Sequence, residues 1–205
     1  MRATPRRRLS RAERREVIEA AAARLFATQG FEATRLEDIA AEAGVTKQLL
    51  YQHFSGKTEL YLALLERHQR DLRGFADAMP ATGSLEERLR AVAEIWVDYV
   101  EAHSHAWRML FRDSGGGERV QAVRAGVHDE ARAVLADLLR ALSAGRIPEG
   151  ELEPLAETLS MGQAALVLWW LDRPSVARAA IVDAITRLWL GVLTARPEGR
   201  SRSRR

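Results

Sequence analysis

The chain has 205 residues, enough for one large domain or two small ones with ample core. It has no cysteine, which excludes a disulfide framework and thiolate chemistry, and alanine, leucine and arginine dominate, which favours helix. The net charge of +3 is uneven: residues 1–15 hold seven arginines and one glutamate, residues 196–205 hold five arginines and one glutamate, and the body between them is mildly acidic.

Residues 1–9 read as a disordered basic arm. Ser10 with Glu13 forms a capping box, and the first helix should run to about Thr28, burying Val17, Ile18, Ala21, Leu25 and Phe26 before Gly30 stops it. Thr34 with Glu37 forms another box, and Leu36, Ile39, Ala40 and Ala43 share one face of a second helix. Gly44 ends that helix, because glycine takes the left-handed backbone without strain. Val45 should then turn inward and Thr46 cap a third helix whose Leu50 and Phe54 face back. Small residue, three residues, glycine, apolar residue is the helix-turn-helix arrangement. The outward side chains Thr46, Lys47, Gln48, Tyr51, Gln52 and His53 carry no negative charge, and all can donate hydrogen bonds to phosphates or base edges.

Ser55 can cap a fourth helix, from about residue 56 to 76, with Lys57 in its first turn and Tyr61, Leu64 and Leu65 inward. A break at residues 79–83 precedes a capping box at Ser84 and Glu87, which starts a fifth helix running to about Ala102. A short sixth helix spans His103 to Arg112, and Ser114 to Gly117 forms a loop. The seventh helix covers about Glu118 to Ser143. The eighth covers about Glu153 to Asp172, after a loop from Ala144 to Glu151. The ninth covers about Val176 to Ala195 and is followed by an arginine-serine tail.

Residues 10–65 resemble the TetR family of bacterial transcriptional regulators. The resemblance lies in Leu25-Phe26 with Gly30-Phe31, Ile39-Ala40, Ala43-Gly44-Val45, Leu50-Tyr51 with His53-Phe54, and Lys57 with Glu59-Leu60. It implies an all-α fold: a three-helix DNA-binding domain at residues 10–55, then a ligand-binding and dimerisation domain at 56–195 in which the fourth helix is the bridge, and a basic tail at 196–205. It also implies a repressor released from DNA by a small molecule. The expected DNA-contacting residues are Thr34, Arg35, Thr46, Lys47, Gln48, Tyr51, His53 and Lys57, with Lys57 at a helix start suited to phosphate.

Between the bundle helices, Trp96, Tyr99, His103, Trp107, Met109, Leu110, Phe111, His128 and Trp169 are candidates to line a cavity for a hydrophobic ligand. The last two helices carry broad apolar stripes, and Leu166, Trp170, Ile181, Ile185, Leu188, Trp189 and Val192 are expected to form a four-helix homodimer interface. The partners expected are therefore double-stranded DNA with an approximately palindromic operator, a small hydrophobic ligand and a second copy of the chain. No cofactor, metal site or catalytic constellation is expected: His103 and His105 are two residues apart, pointing in different directions on a helix. No stretch of 18 apolar residues is present and the start lacks a signal peptide, so the expected location is cytoplasmic. The alternatives are a ligand-independent DNA-binding regulator and a helical small-molecule-binding enzyme.

Overall fold

The computed structural model describes residues 9–73, 79–112 and 115–195, and these form helices and connecting loops without a strand. Residues 1–8 of the basic arm, the expected end of the fourth helix beyond Arg73, Ser114, and the tail from residue 196 lie outside the described residues.

Helix α1 spans Arg11–Ala33 and opens with the expected capping box: Glu13 N donates to Ser10 Oγ at 3.2 Å and Ser10 N donates to Glu13 Oε2 at 2.7 Å. Gly30, at φ 79° and ψ 169°, breaks the helix, and one further turn follows it. Ile18, Ala21, Ala22 and Phe26 are buried, whereas Val17 is 37% exposed and Glu19 takes the inward place, paired with Arg15 and Arg67.

Helix α2 spans Leu36–Glu42 and α3 spans Lys47–Tyr51. Gly44 sits at φ +64°, and a Cβ there would meet nothing within 4 Å, so the backbone angle alone requires glycine. Val45 N donates to Ala40 O at 3.0 Å, and Thr46 Oγ1 accepts from Leu49 N at 3.2 Å as the cap of α3. The box expected at Thr34 and Glu37 does not form. Thr34 is buried and its hydroxyl donates to Gly30 O at 2.7 Å, closing the extra turn of α1, while Arg35 stands as an uncapped start of α2.

Helix α4 spans Lys57–Arg73. At its start the roles of the expected cap are reversed, since Glu59 accepts from both Ser55 N and Ser55 Oγ at 2.5 Å. Helix α5, Leu85–Ala102, has the expected box at Ser84 and Glu87. Helices α6, Ser104–Arg112, and α7, Gly117–Ser143, follow. Helix α8 spans Glu149–Leu171 and so begins before the expected Glu153, taking Pro154 into its second turn. Pro154 is exposed near the helix end, where its ring meets solvent, and Thr158 Oγ1 donates to its carbonyl at 2.8 Å. Helix α9 spans Arg178–Thr194.

Two cores result. One lies under α1 to α4 and includes Met109 and Leu110 of α6 and Val120 and Val127 of α7. The other fills the bundle of α5 to α9. The main packings are α1 on α6, α4 on α7, α5 on α9 and α7 on α8. The bridge is therefore wider than α4 alone. Buried Arg124 of α7 donates to Tyr61 Oη of α4, which donates to Met109 O of α6 at 3.1 Å. Such a fully buried polar chain is held in one geometry, because breaking it strands a charge away from water.

Candidate DNA-reading surface and ligand cavity

Helix α3 stands on Leu50 and Phe54, both buried, and turns Lys47, Gln48, Tyr51 and Gln52 to solvent. Tyr51 is 47% exposed, and the Lys47 ammonium lies 5.9 Å from its ring centre. Lys47 also pairs with Glu37 of α2. That hydrogen bond holds the Glu37 carboxyl below its usual range and raises the Lys47 ammonium above its own. The carboxylate thus occupies the cation that phosphate would claim. Glu37→Gln is expected to tighten DNA binding several-fold and leave the melting temperature unchanged, as measured by fluorescence anisotropy and thermal melts.

His53 is half-buried beside Arg11, Arg14 and Arg15 of α1. Burial first, then these arginines, lowers its pKa, which favours the neutral imidazole. A groove between the start of α1 and α3 is lined by Leu9, Arg14, Gly44, Thr46, Gln48 and Gln52. From sequence, Arg14 falls in the first helix with no contact named for it. Its position one turn before buried Ile18 is the helical signal that assigns it to this groove.

One expected contact is corrected: Thr34 is buried behind its bond to Gly30 O. Lys57 Nζ donates to Phe31 O at 2.7 Å and Glu32 O at 3.2 Å and lies 4.4 Å from the Phe31 ring centre. It clamps the end of α1 to α4, where carbonyls and a cation attract. Arg35, Thr46, Lys47 and Gln48 are exposed, and His53 is half-buried beside the α1 arginines.

The bundle encloses a cavity of about 110 Å³, many times the room one water needs, on the order of 10–15 Å³. Trp96, Trp107, Leu110, Phe111 and His128 line it as expected, together with Leu89, Val92, Leu135, Ser160, Gln163, Ile185 and Trp189. Trp107 stacks on Phe111 at 5.2 Å and meets Trp96 edge-on at 5.5 Å. His128 approaches the Phe111 ring edge-on at 4.9 Å, and burial lowers its pKa. Gln163 Nε2 donates to Leu159 O at 3.0 Å. No Asp, Glu, Lys or Arg lines the cavity among the described residues. Trp107 Nε1 is buried and has no acceptor among the described residues, an arrangement that costs on the order of 1–3 kcal/mol. Leu110 and Val127 belong both to the cavity wall and to the core beneath the DNA-reading helices.

Other expected cavity residues lie elsewhere. The Tyr99 hydroxyl donates to Asp71 Oδ2 at 3.1 Å and accepts from His68 Nδ1, while His103 Nδ1 bonds Tyr99 O at 2.9 Å. Met109 is buried in the N-terminal core. Trp169 is 44% exposed, with the Arg173 guanidinium 4.6 Å from its ring centre.

The expected dimer residues are also redistributed. Trp170, Ile181, Ile185 and Trp189 face into the bundle, and Trp170 Nε1 donates to Val176 O at 2.9 Å. Leu166 and Val192 are half-buried. The face of α8 and α9 open to solvent carries Met161, Trp169 and Leu188, with Gly162, Ala165, Ala180, Ala184 and Gly191 between them. Stripes this broad leave two candidate sectors on each helix, and packing against α5 and α7 selects the inward one.

Among the described residues no helix is long and apolar enough to cross a membrane, and no group of three His, Asp or Glu could hold a metal.

Residues 18–64 match the family model described as bacterial regulatory proteins, tetR family, and residues 85–191 match that of the tetracyclin repressor-like C-terminal domain. The chain is 34% identical over 193 residues to the HTH-type transcriptional activator FasR of Mycolicibacterium smegmatis, covering 90% of this chain and 85% of that protein. It is 34% identical over 100 residues to the HTH-type transcriptional repressor SCO4008 of Streptomyces coelicolor, covering 49% of this chain and 48% of that one. A TetR-like transcriptional regulator from Rhodococcus sp. RHA1 superposes with a TM-score of 0.71 at 27% identity, over 92% of this chain and all of that one.

Proposed function

The chain belongs to the TetR family of transcriptional regulators, and on that premise we propose that it binds a palindromic operator as a homodimer and leaves it when an apolar ligand fills the C-terminal cavity. The observation that carries this reading is the shared wall: Leu110 and Val127 touch both the cavity and the core that holds α1 to α4. A ligand that wedges α6 from α7 displaces the base on which the reading helix stands. It changes DNA affinity only by its preference for one of the two arrangements. FasR is named an activator and SCO4008 a repressor, so release from DNA is the proposal, and repression is its simplest consequence.

The test is to recover bound fragments from sheared genomic DNA and titrate small apolar compounds against the best of them. The reading requires one strongly preferred fragment, an inverted repeat within it, and its release by a compound that binds the protein. A salt-sensitive affinity equal for all fragments supports a non-specific binder instead. Specific binding that no cavity occupant alters supports the ligand-independent regulator.

The dimer rests on the outward face of α8 and α9, where Met161, Trp169 and Leu188 are each more than 40% exposed amid small residues. A second copy applied there would place two α3 helices in successive major grooves, roughly 34–36 Å apart. Leu188→Glu should raise the dimer dissociation constant at least about a hundredfold, because a symmetric interface buries the unpaired charge twice. Sedimentation would then report a folded monomer that no longer shifts the operator. A Leu188→Glu protein that sediments as a dimer places the interface elsewhere.

A further inference from the structure

The geometry points to a ligand that is uncharged and largely apolar and that accepts a hydrogen bond from Trp107 Nε1. The inference rests on the reading that the cavity takes a ligand, and goes on to name the chemistry of the molecule inside it.

Trp107 of α6 is 7% exposed, and its indole N–H has no acceptor among the described residues. Its rings stack on Phe111 and meet Trp96 edge-on, contacts that favour one setting of the indole plane. A buried donor in an apolar wall recognises one group, an acceptor brought in by the occupant. Binding sites built this way reject analogues that lack the partner.

The absence of lining charge, stated above for the described residues, decides the rest. A carboxylate or phosphate inside this cavity would lose its hydration with no cation to replace it. Among the described residues His128 is the only titratable side chain of the wall, and burial lowers its pKa, favouring the neutral form. Ser160 and Gln163 offer dipoles and no charge. The fitting group is therefore the carbonyl of an ester, thioester, amide or ketone, attached to a hydrocarbon portion that packs on Leu110, Leu135 and Trp189. A thioester carried by a charged group would need that group to remain outside.

The experiment uses the full-length protein and four probes: methyl octanoate, octanoyl-coenzyme A, octanoate at a pH where it is ionised, and octane. Proton–nitrogen correlation spectra of the indole groups follow the Trp107 resonance, assigned by its loss in Trp107→Phe. The ester should move that resonance downfield and bind about tenfold more tightly than octane, with octanoate weakest. In Trp107→Phe, the roughly tenfold preference for the ester over octane should vanish, whatever the resized wall does to octane itself. A stronger shift with octanoyl-coenzyme A than with the free ester assigns the carbonyl to a carrier-borne thioester, and the reverse assigns it to a free ester. Octanoate binding as well as the ester, or ester binding that leaves the Trp107 resonance unmoved, overturns this inference while leaving the ligand-responsive reading intact. If none of the four binds, the ligand reading of the cavity falls with it.

Discussion

The double variant Lys47→Ala/Tyr51→Ala is expected to lose at least about a hundredfold in operator affinity and to remain a folded dimer, since each good contact to a base edge is worth about 1–3 kcal/mol. The reason is the length of α3. It has only five residues, so Lys47 in its first turn and Tyr51 one turn later are two of the few side chains it turns to solvent, beside Gln48. A two-fold dimer doubles every loss. Folding is untouched because neither side chain holds the helix in place: Leu50 and Phe54 do so from below, and alanine is the better helix former. The salt dependence separates the two possible roles of Lys47. If the ammonium contacts phosphate, the slope of log affinity against log salt should fall by roughly 0.9 per subunit. If it contacts a guanine edge, the slope stays and discrimination at one base pair is lost. Gel shifts with the recovered operator at several salt concentrations decide this, and near-normal affinity in the double variant would remove α3 from the role assigned to it.

What could be read without coordinates was whatever is decided within a few residues. Gly44 and Gly30 announce left-handed backbone, and Ser10 with Glu13 and Ser84 with Glu87 close their boxes through bonds that need no distant partner. Thr34 failed for an equally local reason. As a cap its oxygen would have accepted from the backbone of α2, but the hydroxyl is turned back to donate to the carbonyl of Gly30, four residues earlier. Lys57 was beyond local reading, since its partners Phe31 and Glu32 are at the far end of another helix. The neighbours Trp169 and Trp170 show the limit most sharply. Both lie in one apolar run, and a rotation of about 100° along the helix sends Trp170 into the bundle and Trp169 to solvent. Periodicity gives the width of an apolar stripe. The elements that pack against it decide which part of that width is core, cavity wall or free face.

Acid should weaken this fold through one residue before the carboxylates respond. His68 of α4 is 9% exposed, its Nδ1 bonded to the Tyr99 hydroxyl that in turn donates to Asp71, with the His103 ring 5.7 Å away. Burial, and then the proximity of His103 and Arg67, lowers its pKa from 6.5 to about 4 against the opposing pull of Asp71. Above pH 6.5 the imidazole is neutral in both folded and unfolded chains, and the native state loses nothing. Between 6.5 and 4 the unfolded chain takes a proton that the folded one resists, so stability falls with pH and levels off below 4. The loss comes to about 2 kcal/mol by pH 5 and about 3 kcal/mol in full. Glu37, Glu59, Glu87 and Asp172 are held below their usual range, so their contributions disappear only at lower pH. His53, His105 and His128 are also lowered but are less buried, and a variant separates them from His68. In urea melts, His68→Gln should start less stable than the parent at pH 7 and close most of that gap by pH 5. Parallel curves for the two proteins would show that His68 is not the group that titrates. The consequence reaches beyond stability, because α4 begins at the Lys57 clamp on α1 and is tied through His68 and Asp71 to α5. A charged imidazole there loosens the helix that joins the reading head to the bundle. Ligand and DNA should then become less strongly coupled as the pH falls toward 4, where the folded protein takes up this proton, even while each still binds.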